Sequence, residues 1–184
     1  LRLNEPSSGS TQFGAAVSIS NDGNTLAVGI RDADVADGAL ATNGGLVHVY
    51  HWTGSAWGTP HKLTYNEAVD EDFGGIVELS GDGKRLIVGA DDENSNQGEV
   101  FTFEYTGTSW ILRTPGTIGA DGGTSGFLGL GPAAGGGHSI ALSRDGSTIA
   151  GGELGHDSSN GRFRVWNMPS NIKSIWGSND DKNW

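Results

Sequence analysis

Phe13-Gly14-Ala15-Ala16-Val17-Ser18-Ile19-Ser20-Asn21-Asp22-Gly23-Asn24-Thr25-Leu26-Ala27-Val28-Gly29 decides the fold, because it returns. It comes back as Phe73-Gly74-Gly75-Ile76-Val77-Glu78-Leu79-Ser80-Gly81-Asp82-Gly83-Lys84-Arg85-Leu86-Ile87-Val88-Gly89. A third copy runs Gly136-Gly137-His138-Ser139-Ile140-Ala141-Leu142-Ser143-Arg144-Asp145-Gly146-Ser147-Thr148-Ile149-Ala150-Gly151-Gly152. The Asp-Gly pairs begin at 22, 82 and 145. A fixed period of about 60 residues means one supersecondary unit used repeatedly, each burying its faces on its neighbours.

Each unit reads as four strands. Val17 and Ile19 alternate with Ser18, and Val77 and Leu79 with Glu78, the period-2 pattern of a half-buried strand. Asp-Gly between two such runs predicts a hairpin whose two central residues both take φ > 0. The following runs, Leu26-Ala27-Val28 and Leu86-Ile87-Val88, are short and continuously apolar, as suits a strand covered on both faces. Third strands are expected over 45–52, 98–105 and 161–166. A short turn (Thr53-Gly54-Ser55, Thr106-Gly107-Thr108) leads to Trp57 or Trp110, which opens a fourth strand such as 57–63. No stretch has a 3.6-residue period. The fold class is therefore all-β, with repeats over about 13–63, 73–116 and 136–176 in one domain spanning 1–184.

Four-stranded units in series point to a β-propeller-like stack. Phe-Gly, then V-S-I-S-N-D-G-N-T-L-A-V-G, then G-L-V-H-V-Y-H-W-T-G-S-A-W resembles the FG-GAP-type propeller repeat of extracellular proteins, a family that includes the integrin α-subunit head. The resemblance covers about residues 13–176 and is closest in the first two units; the third has Gly136 where Phe13 and Phe73 stand. It implies a propeller with a binding or structural role, not an enzyme. Propellers close with about four to eight blades, so three repeats imply a ring completed by neighbours or by a longer chain. Leu1-Arg2-Leu3 aligns with His61-Lys62-Leu63 and so with the outer strand of a blade. Its expected role is to complete a neighbour's sheet. The termini themselves look trimmed from a longer precursor.

Composition narrows the chemistry. Of 184 residues, 11 are Lys or Arg and 22 are Asp or Glu, giving a net charge of −11. An acidic chain is a poor partner for nucleic acid. No apolar run is long enough to span a bilayer, so membrane insertion is not expected. Cysteine is absent, which removes disulfides, thiolate metal sites and a cysteine nucleophile. No Asn-x-Ser/Thr sequon occurs, and O-linked glycosylation leaves no motif to read.

Acidic loops follow each second strand: Asp32, Asp34 and Asp37, then Asp91 and Asp92 with Glu93, then Glu153 with Asp157. Alternating carboxylates can converge on Ca²⁺, which wants six to eight hard oxygens. FG-GAP-type blades in the integrin head bind Ca²⁺ in a D-x-D-x-D-G-type hairpin, which Asp32, Asp34 and Asp37 approximate with the last spacing one residue too long; these three, with Asp91 and Asp92 of the second loop, are the candidate ligands. A solvated acidic loop that keeps the surface soluble is the favoured reading of them, as it is of Asp70-Glu71-Asp72. Asp22, Asp82 and Asp145 recur because a turn needs them, not a reaction. No acid pair is nominated for glycoside hydrolysis. His48 and His51 lie three apart and so on opposite faces of a strand, and His61, His138 and His156 are scattered. Trp57, Trp110 and Trp176 are expected to pack between units, with a sugar-binding platform as the alternative. Trp52, Tyr105 and Trp166 carry the same two readings. The glycine-rich insert 117–137 contains Phe127, Leu128 and Leu130, a possible contact patch.

The expected function is a non-enzymatic, extracellular or cell-surface module that self-assembles into a fibre or coat through β-edges, as a homo-oligomer or polymer. The alternative is an adhesion or ligand-binding propeller fragment for protein or carbohydrate, with Ca²⁺ as its possible cofactor.

Overall fold

The computed structural model of the chain describes residues 3, 12–33, 44–64, 73–90, 99–113, 140–153 and 162–168. The first unit gives β1 (Phe13–Ile19), β2 (Thr25–Ile30), β3 (Leu46–His51) and β4 (His61–Leu63). The second gives β5 (Ile76–Leu79), β6 (Arg85–Ala90), β7 (Glu99–Tyr105) and β8 (Trp110–Leu112). The third gives β9 (Ile140–Leu142), β10 (Thr148–Glu153) and β11 (Arg162–Asn167). Strands pair antiparallel in chain order within each unit, making sheets of four, four and three strands, none of them closed. The all-β expectation holds, and the expected third strands and the two apolar second strands match the observed ones to within about two residues. In the first unit Trp57 makes only an isolated bridge with Trp52, and β4 begins four residues later, after Pro60.

Residues paired across a ladder share a face. In the first sheet Ile19, Leu26 and Tyr50 lie on one face with Val17, Val28, His48 and Lys62. We call this the front face. Ser18, Ala27, Val49 and His61 lie on the back face with Gly29, Val47 and Leu63. The same registers put Val77, Val88 and Phe101, and Leu79, Leu86 and Phe103, on the front of the second sheet.

The sheets stack back to front. One core joins Ala27, Val47, Val49 and Leu63 of the first back face to Val77, Leu79, Leu86, Val88, Phe101 and Phe103 of the second front face. A second joins Ile76, Ile87 and Val100 to Ile140 and Ile149 of the third sheet. Phe73 is fully buried in the first core and meets Phe101 edge-on at a centroid distance of 5.4 Å. Its N–H donates to the Gly44 carbonyl of the first unit. At Gly29 the next unit's backbone comes so close that a Cβ would strike the Gly74 carbonyl. As expected, β6 is almost wholly buried because both of its faces are covered.

One expectation fails in the first unit. Val77 and Leu79 are buried, but Val17 and Ile19, at the same repeat positions, are 64% and 57% exposed. The alternation is the same; what differs is the neighbour. Among the described residues no sheet covers the first front face at β1, whereas the first sheet itself covers the second.

Candidate functional site

Three features could carry function: the Asp-Gly turns, the aromatic row at the sheet ends, and the acidic loops. The turns are the most regular. Each begins with a serine that the hairpin argument overlooked: Ser20, Ser80 and Ser143, two residues before Asp22, Asp82 and Asp145. Each serine hydroxyl donates to its aspartate at 2.6 Å. It also accepts from the N–H of Thr25, Arg85 or Thr148 at 2.9 Å. Each aspartate in turn accepts from the N–H two residues on, at 3.0 Å.

The expected two-residue turn with two positive φ angles is corrected here. Only Gly23, Gly83 and Gly146 take positive φ, at 73°, 67° and 68°. The N–H of each donates to the serine carbonyl three residues back. The loop is therefore longer, and the serine and aspartate side chains supply the hydrogen bonds a two-residue turn would have found in its backbone.

These bonds shift the acids. The Ser143 hydroxyl, then the Ser147 N–H and hydroxyl, lower Asp145 to about 2. Asp22 is lowered in the same way by Ser20 and Asn24. Burial raises Asp82, but the Ser80 hydroxyl, the Lys84 N–H and the charges of Lys84 and Arg85 outweigh it and bring it below its ordinary value. The three carboxylates are held ionised by their own loops, which is turn chemistry rather than general acid–base chemistry.

The turns also join the sheets into a ladder. The Asn21 N–H donates to the Gly81 carbonyl at 2.9 Å, and the Gly81 N–H donates to the Arg144 carbonyl at 2.6 Å. Asn21, Gly81 and Arg144 are the same repeat position. The Arg85 guanidinium adds a bond to the Gly146 carbonyl at 2.7 Å, and the Ser18 hydroxyl accepts from the Leu79 N–H at 2.9 Å.

Aromatic side chains line the same end of the sheets. His51 and His61 of the first back face sit on Tyr105 and Trp110 of the second front face, with centroid distances of 4.6 Å for His51–Tyr105 and 5.8 Å for His61–Tyr105. Trp110 packs between units as expected. Among the described residues its counterpart Trp57 makes a ring contact only with Trp52, edge-on at 5.5 Å, and Trp52 is 37% exposed. His51 and His61 lie 5.5 Å apart, a proximity the sequence did not suggest. They belong to strands separated by a nine-residue connection, 52–60, whose register no local pattern fixes.

His48 is on the front face, opposite His51 as expected, and is buried with its Nδ1 3.2 Å from the Tyr50 hydroxyl. Burial, with Lys62 nearby, lowers its pKa; burial and His61 lower that of His51. Both imidazoles are thereby kept neutral.

Of the candidate calcium ligands, only Asp32 lies within the described residues, where it accepts a hydrogen bond from the Gln12 amide. Asp34, Asp37, Asp91 and Asp92 lie outside them, as do Asp70-Glu71-Asp72, Trp176, His138, His156 and the insert 117–137. Among the described residues no group of three His, Cys, Asp or Glu side chains is placed to hold a metal, and no helix is long and apolar enough to cross a membrane. No protein-family model and no curated protein matches the chain.

Proposed function

We propose that the chain is a non-enzymatic structural module of an extracellular or cell-surface protein, an FG-GAP-type, β-propeller-like stack that associates with copies of itself into a fibre or coat. One observation carries this: the stack leaves apolar surface uncovered at its ends, with Val17 and Ile19 on the first sheet and Phe163, 68% exposed, on the third. A unit that buries its faces only on neighbours requires neighbours at both ends. The recurrent carboxylates favour the same reading, since each is engaged in its own turn. Contacts between copies include sheet edges, with Leu1-Arg2-Leu3 as the strand offered to a neighbour. Light scattering and electron microscopy of the native particle test the proposal. Large regular polymers are expected, and a lone 19.1 kDa particle at every concentration refutes it.

One observation favours a second reading, carbohydrate binding. The Trp52–Trp57 pair, with Trp52 exposed and Trp57 half-buried, presents aromatic surface of the kind that receives sugar rings. Quenching of tryptophan fluorescence by oligosaccharides, abolished in Trp52→Ala, is the result that would favour it.

A further inference from the structure

One aromatic corner is built twice in this chain. In the second unit Tyr105 and Trp110 pair across β7 and β8, with ring centroids 5.4 Å apart. In the first unit Trp52 and Trp57 stand at the same repeat positions, form an antiparallel bridge, and lie 5.5 Å apart. The same turn sets each pair. The Thr53 N–H and hydroxyl both donate to the Ala56 carbonyl at 2.8 Å, and those of Thr106 to the Ser109 carbonyl at 2.9 Å.

Within the molecule this corner receives flat rings. The His51 imidazole lies 4.6 Å from Tyr105 and stacks at 14° on Trp110, while His61 meets Tyr105 at 5.8 Å. Among the described residues, Trp52 and Trp57 make ring contacts only with each other. The centre of the first front face is closed, with Val28, Ile30, His48 and Tyr50 buried. The corner lies past them at the turn end, where Trp52 is exposed and Trp57 half-buried.

Polar groups border it. The Asn24 carbonyl accepts from the Trp52 N–H at 2.8 Å, one step beyond the Thr25↔His51 pair, so exposed Asn24 shares a face with Trp52. The Asn24 side-chain amide donates to Asp22 Oδ2 at 3.0 Å, while Oδ1 takes the bonds of the turn. Oδ2 of this exposed carboxylate keeps acceptor capacity for a ligand. At the Asn24 position the other units carry Lys84 and Ser147. A ring-receiving surface beside an amide and a carboxylate suits a pyranose, whose C–H face is apolar and whose adjacent hydroxyls donate and accept. The carboxylate and the net charge of −11 select against an anionic sugar.

We propose that Trp52 and Trp57 bind a neutral hexopyranose unit of a glycan, its C–H face on Trp52 and two neighbouring hydroxyls bonded by the Asp22 carboxylate and the Asn24 amide. This rests on the carbohydrate reading above and adds the ligand class and its polar contacts. So shallow a site holds one sugar weakly, and several copies on one particle multiply the hold.

Methyl glycosides of glucose, galactose and mannose, each beside its matching uronate, are titrated by tryptophan fluorescence and saturation-transfer NMR. At least one neutral glycoside binds, roughly fivefold tighter than its uronate. Trp52→Ala and Trp57→Ala each weaken it about tenfold or more. Asn24→Lys installs the residue that the second unit carries in the same turn, so the hairpin accepts it, and it removes the preference for the neutral sugar. Thermal melts check that the variants fold. Binding that needs Trp52 but treats uronates alike and ignores Asn24→Lys overturns the ligand class and the polar contacts while the carbohydrate reading stands. Binding that survives both tryptophan substitutions overturns the site. Quenching by imidazole or a histidine-bearing peptide, with none by any glycoside, makes the corner a protein contact and overturns both.

Discussion

Leu79→Ala and Ile19→Ala make one truncation at one repeat position in two surroundings. Leu79 is 7% exposed in the junction of the first two sheets, and Ile19 is 57% exposed on the front of the first. Truncating a buried leucine costs the transfer of three carbons plus the cavity left behind, about 3 kcal/mol. At Ile19 water already reaches more than half of the side chain and fills the space vacated. Three carbons at about 0.8 kcal/mol each, scaled to the buried fraction, leave about 1 kcal/mol. The expected difference is about 2 kcal/mol, or roughly 4–8 °C in melting midpoint for a chain of this size. Urea and thermal unfolding at concentrations where the protein is monomeric measure it. Equal losses at the two positions, within about 0.5 kcal/mol, would refute the idea that Leu79 is covered and Ile19 is not. Repeating the melt under assembling conditions should bring the Ile19→Ala penalty towards that of Leu79→Ala.

The turns and the buried histidine give further outcomes. Asp145 has a native pKa of about 2 against an ordinary 3.8, so its contribution to stability is complete above 3.8 and is lost as pH falls through that interval. Carbonyl NMR titration should show the Asp145 pKa rising towards 3.8 in Ser143→Ala, which removes the first of its hydrogen bonds. His48 is lowered from 6.5, so the folded state takes its proton less readily than the unfolded state, and stability falls as pH drops below 6.5. His48→Phe, which installs the residue found at the equivalent Phe101, should flatten the stability–pH curve between neutrality and pH 5 without abolishing its slope, because His51 is lowered too. Gly29→Ala should cost about 2 kcal/mol by denaturant unfolding, since its Cβ meets a backbone carbonyl that cannot rotate away. With a net charge of −11 on every copy, added salt should strengthen association in sedimentation experiments.

Four-stranded antiparallel pairing in the first two units, and the first three strands of the third, were legible because Asp-Gly punctuation and period-2 alternation are local signals; the fourth strand expected at Trp176 lies outside the described residues. Which sheet has a neighbour was not. Val17-Ser18-Ile19 and Val77-Glu78-Leu79 read alike, and only stacking separates a covered row from an open one. The serine two residues before each aspartate was visible in all three units, and its recurrence would have predicted the longer turn. The pairing of His51 with His61 was hidden, since it depends on how a turn containing Pro60 sets the start of β4. The calcium candidates were chosen from loop composition, and only Asp32 lies within the described residues.

Gly81 is the one turn position hemmed in from both sides; a Cβ there would meet the Asn21 side-chain amide, the Arg144 side chain at 2.7 Å and its carbonyl at 2.9 Å. Among the described residues, Asn21 and Arg144 each have a turn on one side only, and both carry full side chains. A side chain at position 81 would act as a wedge, forcing apart two seams at once, so the missing Cβ sets how closely three sheets can approach one another.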